Sequence, residues 1–136
     1  MKSAKIFLAL LFSAQSVAAA PKLESQIRFE IPNQQLESFT LNSYKIKSGT
    51  GYSVSHEIAG RQVTNKVIPK KTAQNLMVLE EKAKRSKHTA SKCSARVGIR
   101  ETKGASKHFY LFCTMNEPGA REARDFAEGL KKALNL

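Results

Sequence analysis

The stretch CSARVGIRETKGASKHFYLFC, residues 93–113, reads as two strands joined by a glycine turn and closed by a cysteine at each end. With Thr102-Lys103-Gly104 as a three-residue loop, Gly104 takes the left-handed position that such loops reserve for a residue without Cβ. Glu101 then faces Ala105, and stepping outward sets Val97 against Phe109, Ala95 against Leu111 and Cys93 against Cys113. Side chains alternate along a strand, so this register gives the odd positions one largely apolar face. The even positions, Ser94, Arg96, Gly98 and Arg100 with His108, Tyr110, Phe112 and Thr114, form the other. A disulfide between Cys93 and Cys113 is expected across the strands, contributing about 3 kcal/mol by constraining the unfolded chain.

Two helices flank the hairpin. Pro69 opens the first, where Ala73, Leu76, Met77, Glu80 and Ala83 recur at helical spacing and Lys82, Lys84 and Arg85 end the run in favourable contact with the helix dipole. The polar segment 86–92 reads as a loop. After the hairpin, Asn116-Glu117-Pro118 is an N-terminal helix signal, and Ala120, Ala123, Phe126, Ala127, Leu130 and Leu134 make an apolar stripe to the C-terminus.

Upstream, Gln26–Ile31 alternates as a strand that Pro32 stops, and Tyr52, Val54, His56 and Ile58 alternate against Ser53, Ser55 and Glu57. Residues 62–68 read as a further strand after the Ala59-Gly60 turn. Residues 36–47 fit either period, with strand favoured for the second half. Strand runs followed by single helices predict an α+β fold: an antiparallel sheet of about five strands, two amphipathic helices packed on one face, and one cross-strand disulfide.

Residues 1–19 form a cleavable signal peptide, with Lys2 and Lys5, the apolar run Ile6–Phe12 and the small residues Val17-Ala18-Ala19. That run is far short of the roughly 20 residues that span a bilayer. Residues 20–136 then make a single small domain in the periplasm or the medium, where two cysteines default to one disulfide. Charge is the strongest compositional feature, with 23 Lys and Arg against 11 Asp and Glu. A domain so basic attracts polyanions such as nucleic acid, lipopolysaccharide or cell-wall polymer, or an acidic protein.

The candidate binding residues are Arg96, Arg100, His108, Tyr110 and Phe112 on the even hairpin face, where arginines interleave with aromatics as on nucleic-acid stacking platforms. Arg–Tyr pairs also serve as ordinary sheet stabilisers. Lys70 and Lys71 at one end of the first helix, and Lys84 and Arg85 at the other, are candidate basic patches. The three histidines lack metal spacing, no nucleophile or phosphate-loop motif occurs, and no cofactor is expected. A small nuclease would need His56 or Glu57, His108 and Arg96 or Arg100 to converge.

The pieces IRFEIPNQQLES (27–38) and GYSVSHEIAGRQVTNKVIPKKTAQNLM (51–77) resemble the short N-terminal module of secretins and TonB-dependent receptors. That resemblance implies a helix between the two. The residues themselves favour a secreted, non-enzymatic binding protein; an inhibitor of a secreted enzyme, a small nuclease and a structural envelope component are the alternatives.

Overall fold

The structure, a computed structural model, describes residues 22–31, 35–85, 96–113 and 120–136; the side chains of Arg96, Cys113 and Ala120 lie outside this description. The elements are β1 (Lys22–Ile31), β2 (Glu37–Ile46), β3 (Gly49–Ile58), β4 (Arg61–Ile68), α1 (Lys70–Arg85), β5 (Arg96–Lys103), β6 (Ser106–Cys113) and α2 (Ala120–Ala133). The fold is α+β. Six strands form one antiparallel sheet in the order β4-β3-β2-β1-β5-β6, one strand more than expected. Residues 37–46 are strand throughout, so the helix implied there by the resemblance is absent.

Parity assigns the faces. Phe29, Phe39, Leu41, Val54, Ile68, Val97, Ile99 and Phe112 share one core with Ala73, Leu76 and Ala83 of α1 and Phe126, Ala127 and Leu130 of α2. The Phe126 ring meets Phe29 edge-on at 6.5 Å between centroids. The side chains of opposite parity, Gln26, Arg28, Glu30, Thr40, Asn42, Ser53, Ser55 and Arg100 among them, make the second face. No described helix packs there.

The hairpin register differs from the expected one. Lys103 pairs with Ser106, Val97 with Phe112 and Arg96 with Cys113, around a two-residue Gly104-Ala105 turn. Gly104 has φ +58° at the first central position, as a type II′ turn requires. The shift is by an odd number of residues, so every side chain of β6 changes face relative to β5. Phe112, only 1% exposed, is core; Phe109 and Leu111, placed inside by the sequence reading, are outside. Phe109 has a berth there. A Cβ on Gly98 would stand 2.5 Å from its ring, so the ring lies on bare backbone.

Cys113 therefore faces Arg96, not Cys93, in the ladder. The expected disulfide, the signal peptide, the 86–92 loop and the Asn116 cap lie outside the described residues.

Candidate functional site

The pairing registers bring the start of β1, β3 and β6 and the end of β2, β4 and β5 to one end of the sheet. The start of α1 and the end of α2 join them, since Pro69 and Thr72 line one cleft with Lys132 and Ala133. Lysines crowd this end. Lys22 and Lys45 stand opposite each other in the ladder, Lys47 sits in the β2–β3 turn, and Lys103 and Lys107 flank the β5–β6 turn. Lys66, Lys70, Lys71 and Lys132 complete the cluster on the helix side, and all nine are exposed. Among the described residues the carboxylates at this end are few: Glu24, and Glu101, which shares a cross-strand row with Lys66 and is taken up by Lys84.

Two features make this pole unusual. Like charges directly opposite in a ladder are destabilising, and Lys22–Lys45 is such a pair. The positive end of the α1 dipole also points here, and the first turn of α1 holds no acidic residue to offset it. Ion pairs form among other side chains, Arg100–Glu30 at 2.8 Å, Arg28–Glu57 at 3.8 Å and Lys84–Glu101 at 3.1 Å, and His56 Nε2 is hydrogen-bonded to Glu37 at 2.7 Å. None of the pole lysines joins an ion pair among the described residues.

The residues singled out from the sequence do not share one face. Arg100 lies on the helix-free face, its guanidinium 4.4 Å from the Phe109 ring centroid and bonded to both oxygens of Glu30 at 2.8 and 3.4 Å. His108, Tyr110 and Phe112 have the opposite parity. His108 is exposed opposite Glu101, Tyr110 is half-buried against the core, and Phe112 is core. Arg100 and His108 thus point away from each other across the sheet, against their convergence in a nuclease site. Lys70 and Lys71 belong to the lysine pole, whereas Arg85 sits at the far end of α1.

Lys84 is committed to a partly buried cluster. Its ammonium lies 2.9 Å from Glu81 and 3.1 Å from Glu101, with Tyr110 beneath at 5.8 Å. The hydrogen bond to Glu81, followed by that to Glu101, holds its pKa above the ordinary lysine range against the opposing effect of burial. Burial, then the hydrogen bond and charge of Glu101, push Glu80 up to about 9. Glu101 moves the other way. Burial would raise it, but hydrogen bonds from Glu80 and Lys84 outweigh that and hold it below the usual carboxylate range. Ligand oxygens of Glu80, Glu81 and Glu101 lie within 4.8 Å of one another. The cation among them is the Lys84 ammonium, and the dyad carries a proton.

The helix-free face holds a hydrogen-bonded polar layer. Asn42 Nδ2 donates to Ser53 Oγ and Ser55 Oγ, both at 3.2 Å, and Gln26 Nε2 donates to Asn42 Oδ1 at 2.9 Å. Arg28 Nε donates to Thr40 Oγ1 at 3.4 Å. The short side chains Thr40, Ser53 and Ser55 are buried, sunk between longer neighbours and bonded to them.

No family model matches the chain, and neither a curated protein nor a solved structure matches it. Among the described residues no helix is long and apolar enough to cross a membrane.

Proposed function

We propose that this is a basic, non-enzymatic binding protein acting outside the cytoplasm, in the periplasm or the medium, and that its lysine pole holds an acidic macromolecule. The observation that carries the reading is the convergence of nine exposed lysines at one end of the sheet, where the described carboxylates are Glu24 and the Lys84-bound Glu101. Such an arrangement pays a standing cost in like-charge repulsion, which a polyanion relieves by bringing its own negative charges. A polymer of phosphates, sulfates or uronates fits better than a compact acidic protein, because the lysines are spread over turns and helix ends rather than gathered in a shaped pocket. A signal peptide at residues 1–19 and a Cys93–Cys113 disulfide belong to the same reading; two titratable thiols in the unfolded, unreduced secreted chain would remove the disulfide from it.

Heparin chromatography and DNA titration against salt test the proposal. Each phosphate contact steepens the dependence of log affinity on log salt by about 0.7–0.9, so several lysines acting together give a slope of about −4 or steeper. A combined Lys45→Glu, Lys103→Glu, Lys107→Glu variant should release the protein from heparin at much lower salt. Arg85→Glu with Arg121→Glu, at the other end of the helices, should change retention far less. Equal losses from both sets would mean that net charge alone is at work and would end the assignment to the pole.

A further inference from the structure

Beside the lysine pole, α1 and α2 leave an open cleft of about 420 Å³ against the end of β4. Its walls are mainly apolar, from Ile68, Pro69, Leu76, Leu79 and Ala133, and Lys66 and Lys132 stand at its rim. At Gly129 the helices approach so closely that a Cβ would stand 2.7 Å from Leu76 Cδ2, so this backbone spacing is built for a residue without a side chain. Lys70 and Lys71, with the uncompensated amino end of α1, lie next to the same opening.

We propose that the acidic ligand of the pole is a phosphorylated lipid: its phosphate sits among Lys66, Lys132 and the first turn of α1, and one acyl chain lies in the cleft. The inference rests on the reading of the pole as an anion site and names the ligand class. Charge complementarity selects the headgroup, and the adjoining apolar walls select what is attached to it. A plain polyanion leaves the exposed parts of Pro69, Leu79 and Ala133 in water over the buried floor of Ile68 and Leu76, whereas an acyl chain covers them and is itself removed from water at about 0.8 kcal/mol per buried methylene. An uncharged chain makes no use of the lysines, each worth about 1 kcal/mol near an anionic lipid surface.

Amide shifts in the nuclear magnetic resonance spectrum of the secreted chain, titrated separately with dodecyl phosphate below its micellar range, inorganic phosphate and dodecyl maltoside, provide the test. Dodecyl phosphate should bind at least about tenfold more tightly than either of the others, a difference of about 1.4 kcal/mol. Its shifts should centre on Leu76, Leu79 and Ala133. Asn75→Trp, at an exposed cleft position, should bring dodecyl phosphate down to the affinity of inorganic phosphate while heparin retention stays unchanged. Lys66→Ala with Lys132→Ala should weaken dodecyl phosphate and leave dodecyl maltoside as it was. Equal affinity for dodecyl phosphate and inorganic phosphate, in a protein that still binds heparin, overturns the lipid and leaves the pole standing. Equal affinity for dodecyl phosphate and dodecyl maltoside overturns it as well, since the charge then does nothing. Absence of heparin binding in the unsubstituted protein overturns the pole itself.

Discussion

Glu80 on α1 is hydrogen-bonded to Glu101 on β5, so two carboxyl groups meet where the helix crosses the sheet. Glu80 is 3% exposed and holds its proton up to about pH 9, whereas in the unfolded chain it ionises near 4.5. The folded protein therefore carries the extra proton between those values. Its contribution to stability is complete below about 4.5 and is lost as pH rises towards 9. Glu80→Gln keeps a donor for Glu101 and removes the titration. Urea unfolding at several pH values between 5 and 9 should show the variant gaining on the unsubstituted protein as pH rises. Parallel stability profiles would show that Glu80 does not hold the proton.

Phe109 and Phe112 are three positions apart and lie on opposite faces of the sheet. Phe112→Ala should cost about 3–5 kcal/mol, the usual loss for emptying a buried aromatic site. Phe109→Ala removes a ring that is 44% exposed and should cost about 1 kcal/mol. Equilibrium unfolding of the two variants is thus a direct reading of the hairpin register, and the reverse order would restore the register with Cys93 opposite Cys113.

Ala59 occupies the left-handed region with φ 53°, followed by Gly60 at 78°. Two positive values in succession are the type I′ pattern, in which asparagine is preferred at the first position and alanine is strained. Ala59→Asn should raise stability by about 0.5–1 kcal/mol. Its backbone N–H bonds with Gln35 and Leu36 carbonyls, at 3.0 and 3.3 Å, make no demand on the side chain. A fall in melting temperature would contradict the turn assignment.

Asn42 ties three strands through one amide. Asn42→Ala leaves the buried Ser53 and Ser55 hydroxyls and the Gln26 amide without it, so a loss of about 2 kcal/mol is expected. Asn42→Asp keeps the shape and lets the serine hydroxyls turn to donate, but it puts a charge at a position only 4% exposed, so it should also destabilise. A neutral result for both would mean that water replaces the amide freely on this face.

The helices were legible because a period of 3.6 over α1 and α2 has no rival reading, and alternation in β3 separated Tyr52, Val54 and His56 from Ser53 and Ser55, two sets that lie on opposite faces of the sheet. The hairpin was not, because both its faces carry apolar side chains at alternating positions. Turn chemistry then had to decide, and Gly104 satisfies a three-residue loop and a two-residue turn equally well. What decided in the folded chain was non-local: a core space for Phe112 and a bare glycine under Phe109. The lysine pole escaped for a related reason. Its members are scattered from Lys22 to Lys132, and only the strand directions bring them together. Glu80 lay in an apolar stripe with nothing nearby in sequence to reveal Glu101 as its partner.

The strand order also sets a timetable. β1, the first described element, is an inner strand whose two neighbours lie at very different distances along the chain: Phe29 pairs with Phe39 on one side and with Ile99 on the other. The four-strand meander closes from adjacent segments, but the second flank of β1 stays open until the chain past Lys103 has arrived. During synthesis, Ile27, Phe29 and a row of unpaired backbone groups wait in the open for that late hairpin. The interval between emergence of the first strand and capture by the fifth is when this protein is most exposed to proteolysis and to pairing with the wrong chain.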